Sequence, residues 1–233
     1  MTRLVEIHDR STWGDILEGQ PQHLLMALLM GLGAYSLLVW MPEEPKRLGL
    51  DTTGWAQLSI LLALLHQIMV AAVFRLQLHR NVMTRLFGDR DMKIWGLMFF
   101  PLLIARPLTI IMAGWADTVP IGLPRPVELT LGLVFVAASL WVMYSVAAYF
   151  TFPRALGGDH FRQRYADMPL VDRGAFRVTG NAMYGLGFLG FWGIALLFGS
   201  WNALVVALFQ HAYIWVHMYC TEQPDMDWIY GNR

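Results

Sequence analysis

The sequence predicts an all-α, polytopic integral membrane bundle of about six transmembrane helices, with no Rossmann domain. Three observations lead there. Six apolar runs punctuate the 233 residues, each about long enough to cross a hydrocarbon core roughly 30 Å thick. Charged residues make up only 15% of the chain and hydrophobic ones 56%, whereas a soluble domain carries roughly 25% charged residues. Arginine and lysine, finally, gather in alternate connections, the asymmetry that orients membrane helices.

The same composition narrows the function classes. A formal net charge of zero gives no bulk attraction to nucleic acid. Cys220 is alone, so no intramolecular disulfide is available. Residues 1–22 contain Glu6, Asp9, Asp15 and Glu18 and no apolar core, so this segment does not read as a cleavable signal.

The first span is expected over His23–Trp40, and Pro42 and Pro45 stop it because proline lacks the backbone donor. Trp55–Phe74 is the second span, interrupted by His66 and Gln67. A polar connection follows with Arg75, Arg80, Arg85, Arg90 and Lys93. Ile94–Trp115 is the third span and carries Pro101, Arg106 and Pro107 inside it. Prolines and a glycine between Asp117 and Pro126 mark a turn. Val127–Phe150 is the fourth span, Thr151–Thr179 is polar, and Ala182–Phe198 and Trp201–Tyr219 form an apolar hairpin turning at Gly199-Ser200. Residues from Thr221 onward read as a polar tail.

The connection after span four carries Arg154, Arg162, Arg164, Arg173 and Arg177; that after span three has Arg125 alone, and the hairpin turn has no basic residue. Both termini are therefore expected in the cytoplasm, in a bacterial inner membrane or the endoplasmic reticulum. The whole chain reads as one membrane domain: residues 1–22 a cytoplasmic N-terminal segment, 23–150 four spans, 151–233 a loop, helical hairpin and tail.

Several residues suggest chemistry. Gly185-Leu-Gly-Phe-Leu-Gly190 matches G-x-G-x-x-G by letter but lies inside a span without the strand that a dinucleotide site needs. Gly187, Gly190 and Gly193 recur every three residues, which suits close helix packing. Arg106 sits mid-span, where a charge costs on the order of 3 kcal/mol, and so faces the bundle interior or a wet cavity, with a phosphate or carboxylate as its functional partner. His211 and His217 are six apart and do not share a helix face, so no metal pair is expected. Asn181 and Tyr184 begin the hairpin and Glu222 ends it. When the hairpin closes, polar groups at both ends meet on one side, the layout of a site for a charged small molecule beside an apolar one.

These segments resemble a known family. Gly174-Ala-Phe-Arg-Val-Thr-Gly-Asn-Ala-Met-Tyr184 is similar to the G-x-Y-x-x-x-R-H-P-x-Y motif of isoprenylcysteine carboxyl methyltransferases, and more so to the N-P-M-Y version in phosphatidylethanolamine and phospholipid N-methyltransferases. Thr221-Glu-Gln-Pro-Asp-Met226 resembles their T-E-K-P-D-M or E-E-P segment, and Leu156-Gly-Gly-Asp-His-Phe161 their L-G-D-Y-F segment. The resemblance covers Leu156–Tyr230. Gly180 replaces the motif arginine and Ala182 its proline, which points away from the prenylcysteine enzymes; Gln223 replaces the second glutamate, so either Glu222 suffices for the ligand ammonium or that contact differs here.

The resemblance implies a membrane methyltransferase using S-adenosylmethionine, with a phospholipid acceptor such as phosphatidylethanolamine entering from the bilayer. Asn181, Tyr184, Gly185, Glu222, Gln223 and Gly158 are the expected cofactor-binding residues, Arg106 and Arg177 the expected substrate-binding residues, and His217 and Tyr184 the expected catalytic ones; no metal is implied. Aromatic faces at Tyr184, Phe188, Tyr213 and Trp215 suit a sulfonium or methylated ammonium. The alternatives are methylation of a carboxylate or thiol, an NADPH-dependent sterol reductase sharing the C-terminal pattern, and a non-enzymatic channel, transporter or assembly protein.

Overall fold

Every apolar run forms a helix in the computed structural model, which describes residues 2–231. Two short helices come first, α1 (Arg3–Arg10) and α2 (Trp13–Leu17). A capping box starts α2: the Thr12 side chain accepts from the Asp15 amide, and the Asp15 carboxylate accepts from the Thr12 amide. Gly19, at φ +74°, turns the chain into α3 (Gln20–Leu37). Asp51 caps α4 (Thr52–Arg80) by accepting from the Gly54 amide, and Asn81 ends it in the left-handed conformation. After α5 (Val82–Phe87) and a short 3₁₀ turn comes α6 (Asp91–Ala116).

Helix α7 (Arg125–Ser145) runs on into a π-helical turn, Val146–Phe150. Three four-residue helices follow, α8 (Phe152–Ala155), α9 (Gly158–Phe161) and α10 (Gln163–Ala166). A second π-helical turn, Met183–Gly187, opens α11 (Leu189–Phe198). Gly199 and the capping Ser200 make the hairpin into α12 (Trp201–His217). That helix passes through a third π-helical turn, Met218–Glu222, into α13 (Gln223–Ile229). Among the described residues there is no strand, only two isolated bridge pairs.

Four continuous helical stretches are long and apolar enough to cross a membrane: Thr52–Arg80, Val82–Ala116, Arg125–Phe150 and Trp201–Ile229. The other two expected spans are shorter elements. α3 has 18 residues and begins with the polar Gln20-Pro-Gln-His23, and Met183–Phe198 is a short apolar helix. The tail also differs from expectation, since it continues as helix α13 with Asp225 and Ile229 buried. Helix α4 likewise extends through the first basic residues of the connection after it, to Arg80.

The surface is inverted relative to a soluble protein. Leu24, Leu25, Leu28, Leu29 and Leu32 of α3 are all more than half exposed, while the main core is a seam rich in alanine: Ala27, Ala34, Ala56, Ala63, Ala113 and Ala203. Small residues let helices approach closely where lipid supplies no hydrophobic drive. Gly190 and Gly193 act this way, whereas a Cβ at Gly187 would make only ordinary contact, 3.5 Å from Val142. A Cβ at Gly193 would lie 2.8 Å from the Gly132 carbonyl oxygen, and one at Gly190 would lie 2.5 Å from Ser139 Oγ, so α7 and α11 touch backbone to backbone.

At the hairpin end, Asp117 accepts from the Ser200 hydroxyl and from the Asn202 amide at 2.9 Å. The Asn202 side chain reaches Val39, its Nδ2 donating to the carbonyl at 2.8 Å. The turns after α3, α6 and α11 are thereby tied together. The opposite end, where α4, α7 and α12 finish and α6 begins, carries the polar segments.

Candidate functional site

The π-helical turns Met183–Gly187 and Met218–Glu222 face each other at that polar end. A π turn adds a residue to the helix and re-aims the side chains after it, which is why such turns recur at functional sites. Here they bring Tyr184 and Glu222 together: the Tyr184 hydroxyl donates to the Glu222 carboxylate. His217 joins them from the last turn of α12, its Nε2 3.5 Å from Glu222 Oε1. His217 is buried, whereas the Glu222 side chain keeps 20% of its surface exposed. The Tyr184 ring stands edge-on to Trp215 at 6.2 Å, and Trp215 stacks with Tyr219.

The other expected cofactor residues are distributed unevenly. Gly185 follows Tyr184 directly, and a Cβ there would meet no heavy atom within 4 Å, so the space at its own Cα is open. Asn181 is exposed one turn earlier, with its carbonyl accepting from the Tyr184 and Gly185 amides. Gln223 is exposed and its side chain donates to Asp227 at 3.3 Å. Gly158 is buried, and a Cβ there would lie 2.6 Å from the Pro153 carbonyl oxygen and 2.8 Å from the Tyr165 ring.

The two expected substrate arginines lie in different surroundings. Arg177 is exposed at the end of a 3₁₀ turn, Gly174–Arg177. Arg106 is 2% exposed; its Nε donates to Gln210 at 2.6 Å, and Phe188 and Phe191 lie against its guanidinium with ring centroids 5.0 and 5.5 Å away. Its Nη2 has no hydrogen-bond partner.

A second polar cluster, not anticipated from the residues alone, lies behind Glu222. Asp225 is completely buried; its Oδ1 pairs with Arg75 Nη1 at 2.9 Å and its Oδ2 with His160 Nε2 at 3.1 Å. The other His160 nitrogen meets Asp159 at 2.9 Å, and Asp159 accepts from the Tyr230 hydroxyl. Burial opposes a charge on His160, but the flanking carboxylates of Asp159 and Asp225 outweigh it and push its pKa up to about 10. Burial likewise works against the Asp159 carboxylate, and His160 overrides it, holding Asp159 below the usual range. Both segments had a visible signal: His160 lies in the L-G-G-D-H-F stretch and Asp225 in T-E-Q-P-D-M.

An ammonium-bearing, sulfonium-bearing ligand fits this end of the bundle chemically. Glu222 offers a partly exposed carboxylate, Tyr184 and Trp215 offer aromatic faces, and Gly185 is open at its Cα. Two shallow surface depressions involve other residues, one lined by Pro126, Val127, Thr130 and Leu131, the other including Arg3, Arg10 and Trp228.

Comparison with known proteins points to the same part of the chain. Residues 127–233 match the family model described as phospholipid methyltransferase. Phosphatidylethanolamine N-methyltransferase of Debaryomyces hansenii is 30% identical over 104 residues, which is 45% of this chain and 12% of that protein. The protein of the same name from Clavispora lusitaniae is 29% identical over 104 residues, again 45% and 12%. That of Lachancea thermotolerans is 24% identical over 146 residues, covering 61% of this chain and 17% of its own length. The chain therefore spans less than a fifth of these relatives. No solved structure matches it significantly.

Proposed function

We propose that this membrane protein, whose residues 127–233 match the phospholipid methyltransferase family model, transfers a methyl group from S-adenosylmethionine to the amine head group of a phospholipid such as phosphatidylethanolamine. The observation that carries the reading is the pairing of Tyr184 with Glu222 across two facing π-helical turns. The two turns lie in the segments that resemble the family motifs.

S-adenosylmethionine, when bound, supplies a methyl carbon already activated on a sulfonium. The residues then have to align and deprotonate. Glu222 holds the ammonium of the methionine moiety, with Tyr184 fixing the carboxylate and presenting its ring. Gly185, with open space at its Cα, lets the ligand approach the backbone. Asn181 and Gln223, both exposed at the same end, and the Gly158 segment contribute around it. Holding two reactants in attack geometry is worth roughly 7–11 kcal/mol of a barrier.

An acceptor amine must shed a proton before it attacks. His217 suits that role: both its ring nitrogens are without hydrogen-bond partners and it lies 3.5 Å from Glu222. Arg177, exposed at the polar end, and Arg106, with Nη2 unpartnered in the interior, are the cations offered to the lipid phosphate. The chain works as one membrane domain, with its polar end and termini in the cytoplasm.

The test is purified protein reconstituted in vesicles with methyl-labelled S-adenosylmethionine. Label appearing in phosphatidylethanolamine supports the assignment. Label appearing only in a prenylated peptide would move the acceptor, and no transfer to any lipid would overturn the assignment.

A further inference from the structure

The π-helical turn that presents Glu222 has a cause in the sequence and a support outside it. In a regular α-helix the Cys220 carbonyl would accept from the amide of residue 224. That residue is proline, which has no amide hydrogen and whose ring crowds the carbonyl four residues back. The helix answers with the wider turn Met218–Glu222. A carbonyl deprived of its helical donor inside a packed structure needs another one.

The replacement donors come from the N-terminal part of the chain. Gln20 Nε2 donates to the Cys220 carbonyl at 3.1 Å and to Thr221 Oγ1 at 3.3 Å. Arg75 Nη2 reaches the same Cys220 carbonyl at 3.4 Å and the Glu18 carbonyl at 2.9 Å. Between them, Gly19 lies so close that a Cβ would be 2.3 Å from the Cys220 oxygen. Gly19 also sits at φ +74°, a conformation that favours glycine. The last turn before Glu222 is thus gripped on its open side by residues 18–20 and Arg75. None of these lies within the matched region, residues 127–233.

We infer that Gln20 and Arg75 are positioning residues for Glu222, holding the π-helical turn in the register that aims its carboxylate at Tyr184. The N-terminal segment in this view supports the cofactor site through its contacts with the Cys220–Thr221 turn. The inference rests on the reading of Glu222 as the ligand of the donor's ammonium.

Gln20 is the cleaner test, because Arg75 also pairs with buried Asp225. Gln20→Leu removes the donor and keeps the bulk; Gly19→Ala strains the contact by a second route. Titration calorimetry with S-adenosylhomocysteine should show affinity weakened about three- to tenfold in Gln20→Leu, the scale of one lost hydrogen bond. The melting temperature without ligand should stay within a few degrees of the parent, and Gln20→Asn should recover less than half of the loss, because its amide is one carbon shorter. Glu222→Gln is titrated in parallel. If Glu222→Gln weakens binding and both Gln20→Leu and Gly19→Ala bind as the parent does, the positioning role is wrong. If Glu222→Gln itself binds normally, the cofactor reading fails and the inference with it. Loss of binding in Gln20→Leu that only tracks loss of folded protein would also overturn it.

Discussion

Arg75 and Asp225 form an ion pair of 2.9 Å in which the two side chains are 2% and 0% exposed. They join the C-terminal end of α4, at the polar end of the bundle, to the helix just beyond the candidate site. Breaking a buried pair leaves one charge uncompensated, which costs on the order of 3–5 kcal/mol. Asp225→Asn is therefore expected to lower the melting temperature in detergent sharply. A change of less than about 1 kcal/mol, the range of exposed pairs, would show that the pair is solvated.

The pH dependence of stability should carry the signature of His160. Its folded pKa, about 10, lies above its ordinary value of 6.5. A group whose pKa rises on folding stabilises fully below the unfolded value and loses that contribution as pH climbs through the folded one. Stability should fall progressively between about pH 6.5 and 10, and His160→Gln should flatten the profile across that window. Parallel profiles for both proteins would mean that His160 stays neutral.

Glu222→Gln keeps the shape and removes the charge. A charge-assisted hydrogen bond contributes roughly 1.5–3 kcal/mol, so S-adenosylhomocysteine should bind at least about tenfold more weakly. Gln223→Glu should leave binding intact or strengthen it. Unchanged affinity in Glu222→Gln would reduce the carboxylate to a partner for Tyr184.

The orientation read from the basic connections is open to labelling. In a Cys220→Ser background, cysteines at exposed Arg85 and Tyr230 should react from one side of the membrane, and one at exposed Leu48 from the other. Reaction of positions 85 and 230 from opposite faces would dismantle both the topology and the site.

Gly193→Ala should destabilise by about 1–3 kcal/mol, the usual cost of overpacking a tight contact. The added methyl would lie 2.7 Å from Val136 and 2.8 Å from the Gly132 carbonyl. A neutral melting temperature would show that α7 and α11 slide apart without cost.

What the sequence determined by itself was local. Apolar runs, prolines and capping residues place helices because each signal acts within a few residues. The spacing of Gly187, Gly190 and Gly193 marked a packing face by the same kind of periodicity. The motif resemblance nominated Asn181, Tyr184 and Glu222, and the hairpin between them required only that two neighbouring helices fold back.

Tertiary structure decided what holds the site. Gln20 and the Cys220 carbonyl are 200 positions apart, and His160 and Asp225 are 65 apart. No periodicity connects such pairs. The segment after Thr221 reads as a polar tail because Asp225 looks like a solvated charge. It folds as a docked helix because Arg75 and His160, each from another part of the chain, satisfy that carboxylate where water does not reach.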